Sequence, residues 1–200
     1  MTSTSSIFPK ITIITSTFNC KNDLLKTINS VKSQKYPNVQ WIIIDGLSTD
    51  GTVDLIKQHN DIIDQYISEE DSGIYDAWNK SFKFINGDWV IFLGAGDSFF
   101  NEYSLQKFWK MVPENYKDYV ILYGNVMMMN TDDSLRYISK KTNLEGFEYG
   151  RTKLPNHQGV FQPSYLFNNK NKFDSSLKIA GDSKFMMKSC LLYTSPSPRD

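Results

Sequence analysis

Several short stretches of the 200-residue chain combine acids, hydroxyls and glycines in ways that can do chemistry. Gly94-Ala95-Gly96-Asp97 follows the apolar run DWVIFL. Its glycines permit close approach of a phosphate or metal, and Asp97 supplies a carboxylate. One or two carboxylates completed by a substrate diphosphate is the usual Mg²⁺ arrangement, so the tetrapeptide reads as a metal site or as a plain Gly/Asp turn. Asp45 stands directly after three isoleucines, where it can accept an N–H from a nucleobase or ribose. Asp50 and Thr52 just beyond it look like helix caps, and Leu47 occupies the place where a phosphatase-type motif needs its second acid. Thr15-Ser16-Thr17 ends an earlier run, and small hydroxyl residues there let a flat base approach the backbone. Neither a dinucleotide-binding glycine motif nor a P-loop is present. Between Glu69 and Lys80, acids and polar groups crowd around a helix start; Asp76 shares a face with Asn79 and Lys80. The same acids equally suit a helix N-terminus with no ligand. His157 lies in a Pro/Asn-flanked loop, and Asp182 near the start of a last helix is a cap or a general base.

Strands are expected at 10–17, 39–45, 65–68, 88–93, 119–123, 135–139 and 159–167, from β-branched and apolar runs bounded by turn formers. Asn22 or Asp23 is expected to cap a helix running to about Gln34, and further helices are expected at 52–59, 74–85 and 104–111 and from near Ala180. The first would turn Leu24, Leu25, Ile28 and Val31 inward. This alternation argues an α/β fold with a mostly parallel central sheet flanked by helices. In such sheets ligands sit beyond the carboxyl ends of the strands. Residues 15–19, 45–50 and 94–98 all fall at those ends, which points to one shared site.

Composition bounds the function further. Hydrophobic residues at 40% suffice for one domain core, and 22 basic against 22 acidic side chains provide no field for nucleic acid. The two cysteines make neither a disulfide framework nor a metal-ligand spacing. Residues 1–9 lack the basic start and apolar stretch of a signal peptide and are expected to be flexible. No apolar run reaches the length of a membrane span, so a cytoplasmic protein is expected. Residues 190–200 back-translate into a frame resembling a transposase sequencing adapter. They are expected to be foreign, leaving a domain over 10–189, incomplete at its C-terminus, whose last helix breaks off at Ser189.

Taken in order, seven segments carry a resemblance: ITIITSTFN, SQKYPNVQWIIIDGLSTDGT, ISEEDSGIYDAWNKS, GDWVIFLGAGD, YGNV, HQGVF and FDSSLKIAGD. Together they resemble the family 2 glycosyltransferases of the GT-A fold, and among them bacterial enzymes of colanic-acid-like and other surface polysaccharides. The resemblance implies inverting transfer of a sugar from a nucleotide-diphosphate donor, commonly a UDP-sugar, to a saccharide or lipid-linked acceptor. A lipid-linked acceptor would bring the protein to the inner face of the membrane. The resemblance also implies a donor site around Thr15, Thr17, Asp45, Ser48, Asp76 and Asn79, a Mg²⁺ or Mn²⁺ ion on Asp97, Asp182 as general base, and His157 on the acceptor side. Two departures stand out. Gly94-Ala95-Gly96-Asp97 has one acid where the family often has two, and Lys184 follows Asp182 where another acid is common. A non-catalytic nucleotide-sugar binder is therefore the competing expectation. A sugar nucleotidyltransferase is disfavoured, because no Gly-rich basic triphosphate loop stands near the N-terminus.

Overall fold

The computed structural model describes residues 8–130, 132, 134–139, 147–148, 151–152 and 154–194. Strand β1 (Ile11–Thr17) pairs in parallel with β2 (Val39–Asp45), which pairs in parallel with β3 (Gln65–Ser68). The other edge of β1 pairs in parallel with β4 (Trp89–Phe92). Helix α1 (Lys21–Ser33) connects β1 to β2, α2 (Thr52–Gln58) connects β2 to β3, and α3 (Ile74–Ser81) connects β3 to β4. After β4 come α4 (Ser104–Met111), the two-residue β5 (Leu122–Tyr123), and two hairpins, β6 (Val126–Met129) with β7 (Leu135–Ser139) and β8 (Phe147–Glu148) with β9 (Arg151–Thr152). Strand β10 (Val160–Pro163) then inserts antiparallel between β4 and β5, completing the sheet order β3-β2-β1-β4-β10-β5. Helix α5 (Gly181–Thr194) closes the described chain. The expected mostly parallel sheet is therefore present, with its antiparallel part supplied late in the sequence.

Alternation along the central strands feeds two cores. Ile11, Ile13, Trp41, Ile43 and Ile91 face Leu24, Ile28, Leu55, Ile56 and Leu105 of α1, α2 and α4. Ile14, Ile42, Ile44, Val90 and Phe92 face Tyr75, Ala77, Trp78 and Phe185 of α3 and α5. Strands buried on both faces must read as continuous apolar runs, which is why WIII at 41–44 and WVIF at 89–92 appear here. Each such side chain contributes roughly 1.5–3 kcal/mol on burial.

Several expectations need correction. Leu25 is 41% exposed, and Thr27 takes the inner position on α1. The helix begins at Lys21, one residue before Asn22, and its first N–H is taken by Asp50 Oδ2 at 3.0 Å. The cap comes from the neighbouring loop, where no local pattern could announce it. Helix α3 tightens into a 3₁₀ turn at Phe82–Phe84, and the expected strand at 159–167 ends at Pro163 in another, Ser164–Leu166. Phe8 packs edge-on against Tyr36 at 5.3 Å, and the Pro9 carbonyl accepts the Tyr36 hydroxyl at 2.6 Å. Helix α5 does not break at Ser189 but continues to Thr194. Among the described residues, no helix is long and apolar enough to cross a membrane.

Candidate functional site

The carboxyl ends of β1, β2 and β4 open toward one edge, and two clusters of polar side chains form there. The first centres on Asp45, which is fully buried. Its Oδ1 accepts from the Thr17 hydroxyl at 2.8 Å and the Ser48 hydroxyl at 2.5 Å. Its Oδ2 accepts from the Ser48 N–H at 2.9 Å and the Ser68 hydroxyl at 2.7 Å. Four donors fill the lone-pair sites of a carboxylate. They tie the ends of β1, β2 and β3 together, and they make an uncharged donor shell for a buried charge. Asp50 does similar work one turn later: Thr52 donates to it through hydroxyl and N–H, Lys21 through N–H, and these bonds hold its carboxyl below the ordinary range. The expected capping role of Asp50 is present.

Above this network stands Phe18, 66% exposed although it directly follows β1. Gly46 lies against it: a Cβ there would come 2.7 Å from Asp71 Oδ2 and 3.4 Å from the Phe18 ring. A side chain at 46 would have to displace the Asp71 carboxylate, so the small residue lets Asp71 and Phe18 approach this backbone. Asn19, Leu47 and Ala180, the non-glycine residues with positive φ among those described, flank these polar clusters. Such strained backbone persists where surrounding contacts over-determine it.

The second cluster begins at the 94–97 loop. Thr27, buried on α1, donates to the Asp97 carbonyl at 2.9 Å and accepts from the Gly96 N–H at 2.9 Å, clamping the loop. Asp97 Oδ2 accepts from the Gly94 N–H at 3.0 Å. Burial pushes the Asp97 carboxyl up, against the opposing pull of Gly94 and His157. Asp182 stands in the first turn of α5. Asp182 Oδ1 accepts from the Tyr75 hydroxyl at 3.2 Å, and Oδ2 is 3.2 Å from His157 Nδ1. Burial raises the Asp182 carboxyl, but the bonds from His157, the Ser183 N–H and Tyr75 outweigh it and hold it below the usual carboxylate range. The Gly181 N–H donates to Tyr75 oxygen at 2.9 Å, and a Cβ at 181 would sit 2.7 Å from the Tyr75 ring. Lys184 turns away from this cluster and pairs with Asp174 at 2.7 Å, holding its carboxyl at about 2.

One sheet edge thus carries a buried acid at the end of β2 and a glycine loop after β4, with a part-buried acid at a late helix start. The sequence profile of glycosyl transferase family 2 matches residues 12–176. The chain belongs to that family. A PGL/p-HBAD biosynthesis glycosyltransferase of Mycobacterium bovis (strain BCG / Pasteur 1173P2) is 26% identical over 180 residues, covering 88% of this chain and 68% of its own length. The putative teichuronic acid biosynthesis glycosyltransferase TuaG of Bacillus subtilis (strain 168) is 36% identical over 92 residues, 44% of this chain and 36% of its own. In three dimensions, S. aureus TarS 1–349 in complex with UDP superposes with a TM-score of 0.70 at 18% identity, over 91% of this chain and 55% of that one. This chain thus spans about half of that structure's length, and the shared architecture is the GT-A fold.

Within this family 2 domain, the residues expected to form the donor site divide. Thr17, Asp45 and Ser48 come together as described. Thr15 does not join them: it is fully buried, and its hydroxyl accepts the Trp41 indole N–H at 3.0 Å. Asn79 does not either. Its amide donates to the Phe173 carbonyl and accepts the Phe173 N–H, both at 2.9 Å, so it straps the 168–180 segment to α3. Asp76 accepts the Ser72 N–H at 3.1 Å and lies 3.5 Å from Lys80, as an acid at a helix start does without any ligand. Asp182 pairs directly with His157, and Asp97 lies near enough to the same imidazole to feel its charge. Among the described residues no three potential ligands gather as a metal cage. Phe18, Thr27, Ser68, Asp71 and Tyr75 were not singled out as site residues by their sequence pattern. Phe18 alone carried a usable signal, an aromatic placed past the strand end and outside the strand's alternation.

Proposed function

We propose that the chain transfers a sugar, with inversion, from a nucleoside-diphosphate donor to a hydroxyl of a saccharide or lipid-linked acceptor in cell-surface polysaccharide synthesis, with a UDP-sugar as donor. The observation that carries this reading is Asp182, part-buried yet held ionised, on the same edge as Asp97 and the glycine loop. The acceptor oxygen attacks the anomeric carbon from the face opposite the leaving group. Its proton passes to the Asp182 carboxylate, and the bond from the anomeric carbon to the β-phosphate oxygen breaks, releasing the nucleoside diphosphate. General-base assistance of this kind contributes roughly 10²–10⁴-fold.

On the donor side, the exposed Phe18 ring offers a stacking face for a base, and Asp45 with its hydroxyl shell forms the floor beneath it. A base N–H reaches that carboxylate only by displacing a Ser48 or Ser68 hydroxyl, which gives the floor its selectivity. Asp97 fits a divalent cation, because one carboxylate, an open glycine backbone and a substrate diphosphate satisfy the usual Mg²⁺ pattern. Such an ion would neutralise charge on the departing diphosphate.

The single carboxylate in the 94–97 loop favours a second reading, a binder that holds donor without transfer. The two are separated by comparing UDP-, GDP- and dTDP-sugars for thermal stabilisation and for Mn²⁺-dependent release of nucleoside diphosphate with an acceptor. A bound donor stabilises the fold by mass action whether or not it reacts. Stabilisation with no release under any condition rejects transfer; a product of retained anomeric configuration rejects the single displacement.

A further inference from the structure

Asp182 is gripped from two layers of the fold. Tyr75 on α3 holds Oδ1, and because the Tyr75 oxygen already accepts the Gly181 N–H, the phenol proton is directed at Asp182. His157 holds Oδ2 from the 3₁₀ turn His157–Gly159, which runs straight into β10. The pair is 31% and 19% exposed respectively, so water screens it only in part. Behind it lies a cavity of about 10 Å³ walled by Trp78, Phe92, Phe173 and Met186, onto which Gln162 also borders. Gln162 is 4% exposed, and its Nε2 has no hydrogen-bond partner. The charged groups that act on the imidazole are Asp182 from α5 and Asp97 from the loop after β4, while Tyr75 from α3 shares the Asp182 carboxylate.

We propose that His157 is a positioning residue for Asp182: a neutral imidazole whose Nδ1–H donates to Oδ2 and fixes the carboxylate toward the acceptor hydroxyl. This rests on Asp182 being the general base. Through the transfer step the acceptor proton ends on Asp182, and His157 keeps its own proton, acting neither as acid nor as base. The Nδ1–H tautomer leaves Nε2 as an acceptor, which is complementary to the unpaired Gln162 donor bordering the same cavity. With one donor on each oxygen, the carboxylate cannot rotate without breaking a hydrogen bond in a partly dry site. Removing the imidazole leaves burial to push the carboxyl up, so less of it is ionised as pH falls.

Steady-state transfer by His157→Ala should show kcat lowered on the order of 10²-fold, the loss typical of misplacing a reacting group by about 1 Å, with donor KM unchanged. The acid limb of the kcat profile should move to higher pH. His157→Asn, whose amide N–H stands in for Nδ1–H, should recover most of the rate, and His157→Gln, one methylene longer, should not. The chain has two histidines, His59 and His157, so imidazole ¹⁵N spectra are readily assigned. They should show His157 protonated at Nδ1, with that preference lost in Asp182→Ala. Wild-type kcat in His157→Ala, an unmoved acid limb, an Nε2–H tautomer, or no advantage of Asn over Gln overturns the proposal. If Asp182→Asn abolishes transfer while His157→Ala does not, only the positioning role falls. If Asp182→Asn transfers normally, the base assignment itself has failed.

Discussion

The two polar clusters at the sheet edge solve opposite problems. Around Asp45 every lone pair is met by a hydroxyl or backbone N–H, and the residue is sealed from solvent. Around Asp97 and Asp182 the carboxylates are only part-buried, their pKa values are pushed in opposite directions, and a buried amide nearby goes unpaired. A fully satisfied buried network rigidifies, while groups poised with perturbed ionisation are the ones available for chemistry. One region is framework; the other keeps titratable capacity at the sheet edge.

That contrast can be broken at either end. Asp182→Asn should lower transfer by about 10²–10⁴-fold with donor affinity retained in a binding titration; equal transfer rates would leave the second cluster without a base. Asp97→Asn should remove Mn²⁺-dependent turnover and Mn²⁺ binding measured by calorimetry. Because burial raises the Asp97 carboxyl, it is protonated at pH values where exposed acids remain ionised, so Mn²⁺ affinity in the wild type should decline with falling pH before the ordinary carboxylate range of about 4 is reached. Asp45→Asn faces buried donors with an amide and should cost about 2–4 kcal/mol of stability in denaturant titrations, a loss of framework. A marginal change there would show that the Asp45 shell is not the rigid half. Phe18→Ala should weaken donor binding by about 1–3 kcal/mol without shifting Tm. Lys184→Ala should have the smallest effect. Asp174 is depressed to about 2, so its pairing stabilises above pH 3.8 and is lost as pH falls through about 2. The variant should therefore differ from wild type in thermal stability at neutral pH and converge with it in strong acid.

Elements whose signal is local were legible in the sequence. The buried run 39–45, the largely exposed edge strand 65–68 and the helix 104–111 are found as expected, because β-branched runs and a 3.6-residue apolar period carry their own evidence. The strand–helix alternation put Asp45 and Asp97 at strand ends, whereas Asp182, in a late helix, carried no such positional signal. What stayed hidden depends on partners far along the chain. Asn79 looks like a ligand-binding residue on a polar helix face until the Phe173 backbone arrives to occupy both ends of its amide. Thr15 looks like an open hydroxyl until Trp41 folds over it. Likewise the cap of α1 belongs to Asp50, which lies beyond the next strand.

The late insertion of β10 has a consequence for how the molecule comes into being. Phe161 must find Ile91 across a long stretch of intervening chain, and such distant pairings are the slow ones in folding. The Asp45 hydroxyl shell needs nothing beyond Ser68, so it can form while the rest of the chain is still being synthesised. His157, fused to the start of β10, reaches Asp182 only when that last strand docks. Assembly therefore has a direction: the hydroxyl shell of Asp45 can close before the Asp182 carboxylate meets its imidazole.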